Sequence, residues 1–245
     1  MTKRSLDITT ADGTAKANLF SPENAAADPA GVILYSDAFG PRAALDQMAE
    51  RIAGLGYVVL VPDLFYRFGA YGPFDAKTAF SQDDTKAKLM AMLNGTTHAM
   101  TTSDTAAFLD ALSAAGATGR VGVTGYCFGG GRALTAAASY PERIVAAASF
   151  HGGNLASAAP DSPHLKAASI KCRVYVGSAV VDGSFPPEQS ARLEAALRAA
   201  SVDYAMENYA GVEHGWTVPD SRAHNAAGAE RHWARLTTLF AETLG

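Results

Sequence analysis

The run Val121-Gly122-Val123-Thr124-Gly125-Tyr126-Cys127-Phe128-Gly129 constrains this chain more than any other stretch. A short β-branched strand passes into a Gly-x-Cys-x-Gly element and then, with no intervening loop, into the small-residue helical pattern Ala133-Leu134-Thr135-Ala136-Ala137. Such a strand-to-helix turn holds its central side chain up at the edge of a sheet, the layout of a nucleophile elbow. Gly125 and Gly129 flank that side chain because a Cβ would collide with the neighbouring backbone in so tight a turn. The side chain is Cys127, and a thiolate at the start of a helix gains from the unpaired N–H groups and the helix dipole. The same string also describes a buried cysteine or a phosphate-binding turn. The rest of the chain must separate these readings.

At 245 residues the chain is long enough for one α/β domain with a large core. Residues 64–96 form at most a small cap over that domain. Hydrophobic residues make up 48% and charged residues 18%, a globular composition. A net charge of -4 with no basic run argues against a nucleic-acid surface. No apolar run is long enough to span a bilayer, so no membrane partner is expected. The first residues lack the hydrophobic segment of a signal peptide. Two cysteines, Cys127 and Cys172, suggest a reducing compartment without a disulfide framework, with the cytoplasm as the default. Cys172 opens a strand and reads as a small buried hydrophobe. Oligomeric state cannot be read from this pattern.

Asp12-Gly13 between two alternating stretches predicts a β-hairpin over residues 5–19. Residues 21–29, rich in Pro, Asp, Asn and Ala, read as a loop. Val32, Ile33 and Leu34 run without alternation, as parallel strands do when covered on both faces. Further strands are expected at 57–61, 120–124, 144–150, 172–176 and 204–209. Helices are expected at 43–55, 82–93, 97–115, 129–139, 187–199 and 223–244, the last broken early by Gly228. Residues 156–165 read as a loop. Strands alternating with helices predict a doubly wound, mostly parallel sheet with helices on both faces.

In such folds ligands meet the carboxyl ends of the strands. Asp182 follows one predicted strand, in Val180-Val181-Asp182-Gly183, and His214 follows another, in Glu213-His214-Gly215-Trp216. The chain order of nucleophile, acid and histidine is that of an α/β-hydrolase triad. Whole strand-and-helix units separate the three, so each can reach the same edge. His214 would take the thiol proton, Asp182 would fix its tautomer, and Cys127 would attack and form an acyl-enzyme. Two backbone N–H groups would form an oxyanion hole, one from Phe128 and one from Ala38 in the turn after the earlier strand. Asp37, taken alone, reads as a turn or capping residue. His98, His224 and His232 fall in helical patterns and read as surface residues, and His164 sits in a Pro-rich loop. His151 follows a strand end and reads as a pocket contact.

Together these residues resemble the dienelactone hydrolase family of α/β-hydrolases over nearly the whole chain. The resemblance rests on Gly125-Tyr126-Cys127-Phe128-Gly129-Gly130, Val181-Asp182, Glu213-His214-Gly215, Asp37-Ala38-Phe39-Gly40 and Pro62-Asp63-Leu64. It implies an α/β-hydrolase fold and hydrolysis of the enol-lactone dienelactone to maleylacetate, in bacterial degradation of chlorinated aromatics. It implies no metal or organic cofactor. In the family a glutamate after the first core strand keeps the resting thiol neutral; Asp37 stands there in this chain. The family also binds the substrate carboxylate through arginines, one of them four residues past the catalytic histidine. That position is Val218 here, with Arg222 nearest, and Arg67, Lys86 and Lys88 lie in the region of the other. The expected reaction is therefore ester or lactone hydrolysis on a small, less charged molecule, in a pocket lined by Phe39, Tyr66, Phe128, Phe150, His151 and Trp216. The rival reading from another class is a non-catalytic protein of the same fold whose thiol senses oxidants or electrophiles. Thiol-dependent amide hydrolysis keeps the triad and changes only the leaving group.

Overall fold

The computed structural model describes residues 1–23 and 26–245; the loop expected over 21–29 lies partly outside them. Among the described residues eight strands form one sheet: β1 (Thr2–Thr10), β2 (Gly13–Ser21), β3 (Gly31–Tyr35), β4 (Val58–Pro62), β5 (Val121–Tyr126), β6 (Ile144–Phe150), β7 (Arg173–Val181) and β8 (Tyr204–Glu213). Their spatial order is β1-β2-β4-β3-β5-β6-β7-β8. The β1–β2 hairpin turns between Thr10 and Gly13, and β2 joins β4 antiparallel. Every remaining pairing is parallel.

Six α-helices among the described residues connect and cover the sheet: α1 (Ala43–Ala53), α2 (Asp83–Gly95), α3 (His98–Ala114), α4 (Phe128–Ser139), α5 (Pro187–Ala199) and α6 (Ala226–Thr243). Alternation along the central strands splits the core in two. Ile33, Tyr35 and Val123 pack with Phe108 of α3, Leu134 of α4 and Leu193 of α5. Val32, Leu34 and Tyr126 pack on the opposite face with Leu45 of α1 and Leu236 of α6. Both faces are dry because the β3 and β5 side chains are buried on each side, which is why those strands carry no polar alternation. Each fully buried aliphatic or aromatic side chain contributes roughly 1.5–3 kcal/mol of transfer free energy to this arrangement.

Three expectations from the sequence change. Strands β7 and β8 run past residues 176 and 209 and pair out to Val181 and Glu213, carrying the segments that follow them farther along the edge. Residues 156–165 are not all loop, since a 3-10 helix spans Pro163–Ser169. Helix α6 is not broken at Gly228. It begins at Ala226, where the Asn225 side chain accepts from the Gly228 N–H, and Gly228 lets Val212 and Trp216 pack against the helix.

The β5–α4 turn depends on backbone approaching backbone. A Cβ on Gly125 would overlap the Gly129 carbonyl, and a Cβ on Gly129 would overlap the carbonyls of Tyr35 and Ser36. Neither neighbour is a flexible side-chain end that could move aside. Gly183, with nothing within 4 Å of its Cβ position, provides the contrast. Gly129→Ala should therefore lose about 4 kcal/mol or more of stability, or fail to fold, whereas Gly183→Ala should stay within about 1 kcal/mol of the parent. Urea unfolding of the two variants measures the difference.

Candidate active site

Cys127 stands between β5 and α4 with φ 54° and ψ -116°, a left-handed conformation that is uncommon for a residue with a Cβ. The turn holds it there through its own backbone. Its N–H donates to the Phe150 carbonyl at 3.1 Å and to His151 Nδ1 at 3.0 Å, and its carbonyl accepts from the Gly130 N–H. The thiol is partly exposed and lies on the wall of a cavity of about 850 Å³ at the carboxyl edge of the sheet.

The extension of β7 and β8 brings Asp182 and His214 to the same edge. His214 Nδ1 donates to Asp182 Oδ2 at 2.7 Å, which leaves Nε2 as the nitrogen that exchanges a proton. The Asp182 side chain is buried, and its other oxygen accepts from the Ser184 N–H at 2.9 Å and the Ser184 hydroxyl at 2.6 Å. Burial alone would raise the Asp182 carboxyl, but its bonds to His214 and Ser184 hold it below its ordinary value. Burial alone would lower His214. Its interactions with Cys127 and Asp182 outweigh that and push the imidazole up to about 10. The three groups thus act as one electrostatic unit.

His151, expected as a substrate contact, lies in the cavity wall but is only 1% exposed. Its ring is used for support. Because Nδ1 accepts from Cys127, Nε2 carries the proton and donates to Thr217 Oγ1 at 2.8 Å. Burial, reinforced by the nearby His214, keeps it well below its ordinary pKa and neutral. Its ring meets those of His214 and Trp216 edge to face, both at 5.1 Å between centroids.

Ala38 and Phe128 both line the cavity beside the thiol. Among the described residues, neither of their backbone N–H groups has a hydrogen-bond partner. Phe39 also lines the cavity and packs against Phe80 at 5.6 Å.

Other expected contacts lie elsewhere. Tyr66 points toward the hairpin, where its hydroxyl bonds to Thr10 and donates to Asp104. Phe150 is fully buried because strand alternation turns it toward α6, against His232. Trp216 is fully buried too, packed on Tyr209 and behind His151. Asp37 lines the cavity, but Arg42 grips both its carboxylate oxygens at 2.7 and 2.9 Å, and the Phe39 N–H donates to one of them. Arg42 extends the pair to Asp220. Asp37 is thus committed to a guanidinium rather than to the sulfur, since a bidentate charge-assisted pair outcompetes a thiol contact.

Two histidines read as surface residues are not. His232 is fully buried, with Nε2 hydrogen-bonded to the Tyr126 hydroxyl, and burial pushes it down to about 3. His98 bonds Thr135 at 2.6 Å and lines the cavity, and burial pushes it down to about 4. Ser184, Thr217 and Arg42 were also missed. Only Ser184, two residues after a turn aspartate, leaves a local signal. Cys172 is buried as expected, and burial pushes its thiol up to about 12. Among the described residues no cluster of histidine, cysteine and carboxylate side chains is suited to hold a metal. Among the described residues no helix is long and apolar enough to cross a membrane.

A mostly parallel eight-stranded sheet with a strand-to-helix elbow and an acid and a histidine after later strands defines an α/β-hydrolase fold. A dienelactone hydrolase from Klebsiella pneumoniae, so titled provisionally, superposes with a TM-score of 0.86 at 21% identity over 98% of each chain. A dienelactone hydrolase-like promiscuous phosphotriesterase from metagenomic libraries superposes at 0.83, with 25% identity over 100% of this chain and 99% of that one. The chain belongs to the dienelactone hydrolase family, whose sequence profile matches residues 15–244, and it is a hydrolase of that family. A relative from Synechocystis sp., provisionally named a carboxymethylenebutenolidase, is 26% identical over 85% of this chain and 84% of its own length.

The raised pKa of His214 has a direction that stability measurements can read. A basic group held above its ordinary 6.5 contributes its full stabilisation below that pH and loses it as pH rises toward about 10. The wild type should therefore be more stable than His214→Asn at about pH 6, and the gap should shrink by about pH 10. Urea unfolding of both proteins at the two pH values tests this.

Proposed function

We propose that this protein hydrolyses carboxylic esters or lactones through Cys127, with His214 and Asp182 completing a triad. The observation that carries the reading is the Asp182–His214 hydrogen bond next to a strained, partly exposed thiol flanked by two unpartnered N–H groups. His214 holds the proton given up by Cys127, and the thiolate adds to the carbonyl carbon of the substrate. The N–H groups of Ala38 and Phe128 hold the oxyanion. On collapse the C–O bond to the leaving oxygen breaks, and His214 returns its proton to that oxygen, leaving a thioester on Cys127. In a lactone the leaving oxygen stays attached to the acyl chain. Water, deprotonated by His214, then adds to the thioester, and the thiolate departs. No group beyond these residues and water enters the balance.

The name carboxymethylenebutenolidase carried by several relatives supports a lactone substrate. Residues 64–96 act as a cap in this reading, since they supply Lys77, Phe80 and Met90 to the cavity wall. Two unpaired cysteines fit a protein that works in the cytoplasm.

Cys127→Ala should lower turnover of p-nitrophenyl acetate and small lactones by about 10⁴-fold or more while leaving the unfolding transition in place. Wild-type protein mixed with p-nitrophenyl acetate should show a transient mass increase of one acetyl group on Cys127. Undiminished turnover in the variant would overturn the reading. Stoichiometric labelling of Cys127 without turnover on any ester, lactone or amide would favour the thiol-sensor alternative.

A further inference from the structure

Arg42 makes five hydrogen bonds, one for each N–H of its guanidinium. Nε and Nη2 donate to the two oxygens of Asp220 at 2.7 and 2.8 Å. Nη1 and Nη2 donate to the two oxygens of Asp37 at 2.7 and 2.9 Å, and Nη1 also donates to the Gly40 carbonyl at 3.2 Å. The donors of a guanidinium lie in one fixed plane, so the two carboxylates and the carbonyl are held in a single geometry. The guanidinium also lies over the Phe39 ring, 5.2 Å from its centroid. The Arg42 side chain is 15% exposed and that of Asp37 is 7% exposed, so this pair is screened far less than a surface salt bridge.

These bonds join two segments far apart in sequence. Asp37, Ala38, Phe39 and Gly40 make the turn after β3, and Asp220 lies in the connection between His214 and α6. Within the turn the Asp37 carboxylate accepts the Phe39 N–H at 3.0 Å, and the Asp37 carbonyl accepts the Gly40 N–H at 3.3 Å. The Ala38 N–H is left as the donor that can face the cavity. Arg42 fixes the carboxylate on which that arrangement depends, and Asp220 fixes Arg42 from the other side. The segment after β8 has anchors of its own, because His214 is held by Asp182 and Thr217 by His151. Among the described residues, neither Arg42 nor Asp220 lines the cavity.

We propose that Arg42 is a positioning residue, which by gripping Asp37 and Asp220 together holds the Ala38 N–H where it and the Phe128 N–H can meet one oxyanion. The two donors come from different turns, one after β3 and one after β5, so their spacing is set by tertiary contacts and not by either turn alone. A misplacement of about 1 Å at such a site costs on the order of 10²-fold in rate. This rests on the hydrolase reading for the reaction. It gives Arg42 work on the oxyanion and none on the thiol.

The test compares two reactions of Cys127 in the full-length protein. Acylation by p-nitrophenyl acetate passes through an oxyanion, and the burst of p-nitrophenol measures it. Alkylation by iodoacetamide forms the S–C bond with loss of iodide and passes through no oxyanion. Asp220→Ala changes a side chain that is 40% exposed and outside the cavity. It should slow acylation about tenfold or more, while the half-saturating ester concentration and the alkylation rate each stay within about twofold. Asp220→Asn, which keeps one acceptor oxygen, should recover part of that loss. Arg42→Lys keeps the charge but cannot span both carboxylates, and it should behave like Asp220→Ala. Unchanged acylation in Asp220→Ala, or alkylation that falls in step with acylation, would overturn the proposal and leave Arg42 as a structural ion pair. A wild type that p-nitrophenyl acetate does not acylate would instead sink the hydrolase reading and, with it, the oxyanion to be positioned.

Discussion

Everything at the reactive edge depends on how closely the backbone of the β5–α4 turn approaches its neighbours. The Gly129 carbonyl lies where a Cβ of residue 125 would stand, and the Tyr35 and Ser36 carbonyls lie where a Cβ of residue 129 would stand. This compactness forces Cys127 into a left-handed conformation, which costs on the order of 1–3 kcal/mol. The surroundings offset that cost by binding the cysteine's own backbone, through Phe150 and His151 on one side and Gly130 on the other. The sulfur is consequently held at the helix start, beside the unpartnered N–H of Phe128.

The site then sorts its charges by partner. Two aspartates sit at the same edge, and each is claimed by a different cation. Asp182 is claimed by His214 and Ser184, which couples it to the thiol, while Asp37 is claimed by Arg42, which couples it to Asp220 and the chain beyond β8. The histidines divide in the same way. His214 is raised because its partners outweigh its burial, whereas His151, His232 and His98 are lowered because burial is the largest influence on each. A neutral His151 beside His214 has a further consequence. It accepts the cysteine N–H and presents no second positive charge to the His214 ring.

Arg132 breaks this pattern, because it is charged, buried and unmatched. The absence of the family's arginine at position 218 suggests from sequence a pocket for a less charged molecule. The fold instead brings a cation to the cavity from α4, an element whose sequence shows only a small-residue helix with one arginine in it.

Local sequence determined a good deal. The β5–α4 turn, the parallel strands, the Asp12-Gly13 hairpin and the order of Cys127, Asp182 and His214 were all legible, because each is encoded by periodicity or by residues with narrow backbone requirements. The same code could not say which way a strand-end side chain would point or which cation a carboxylate would find. Phe150 and Trp216 went into the core, Tyr66 went to Asp104, and Asp37 went to Arg42. His98 and Arg132 reached the cavity from helices whose own patterns gave no hint of it. Those outcomes depend on burial and on partners distant in sequence, which exist only once the sheet has formed and its helices have docked.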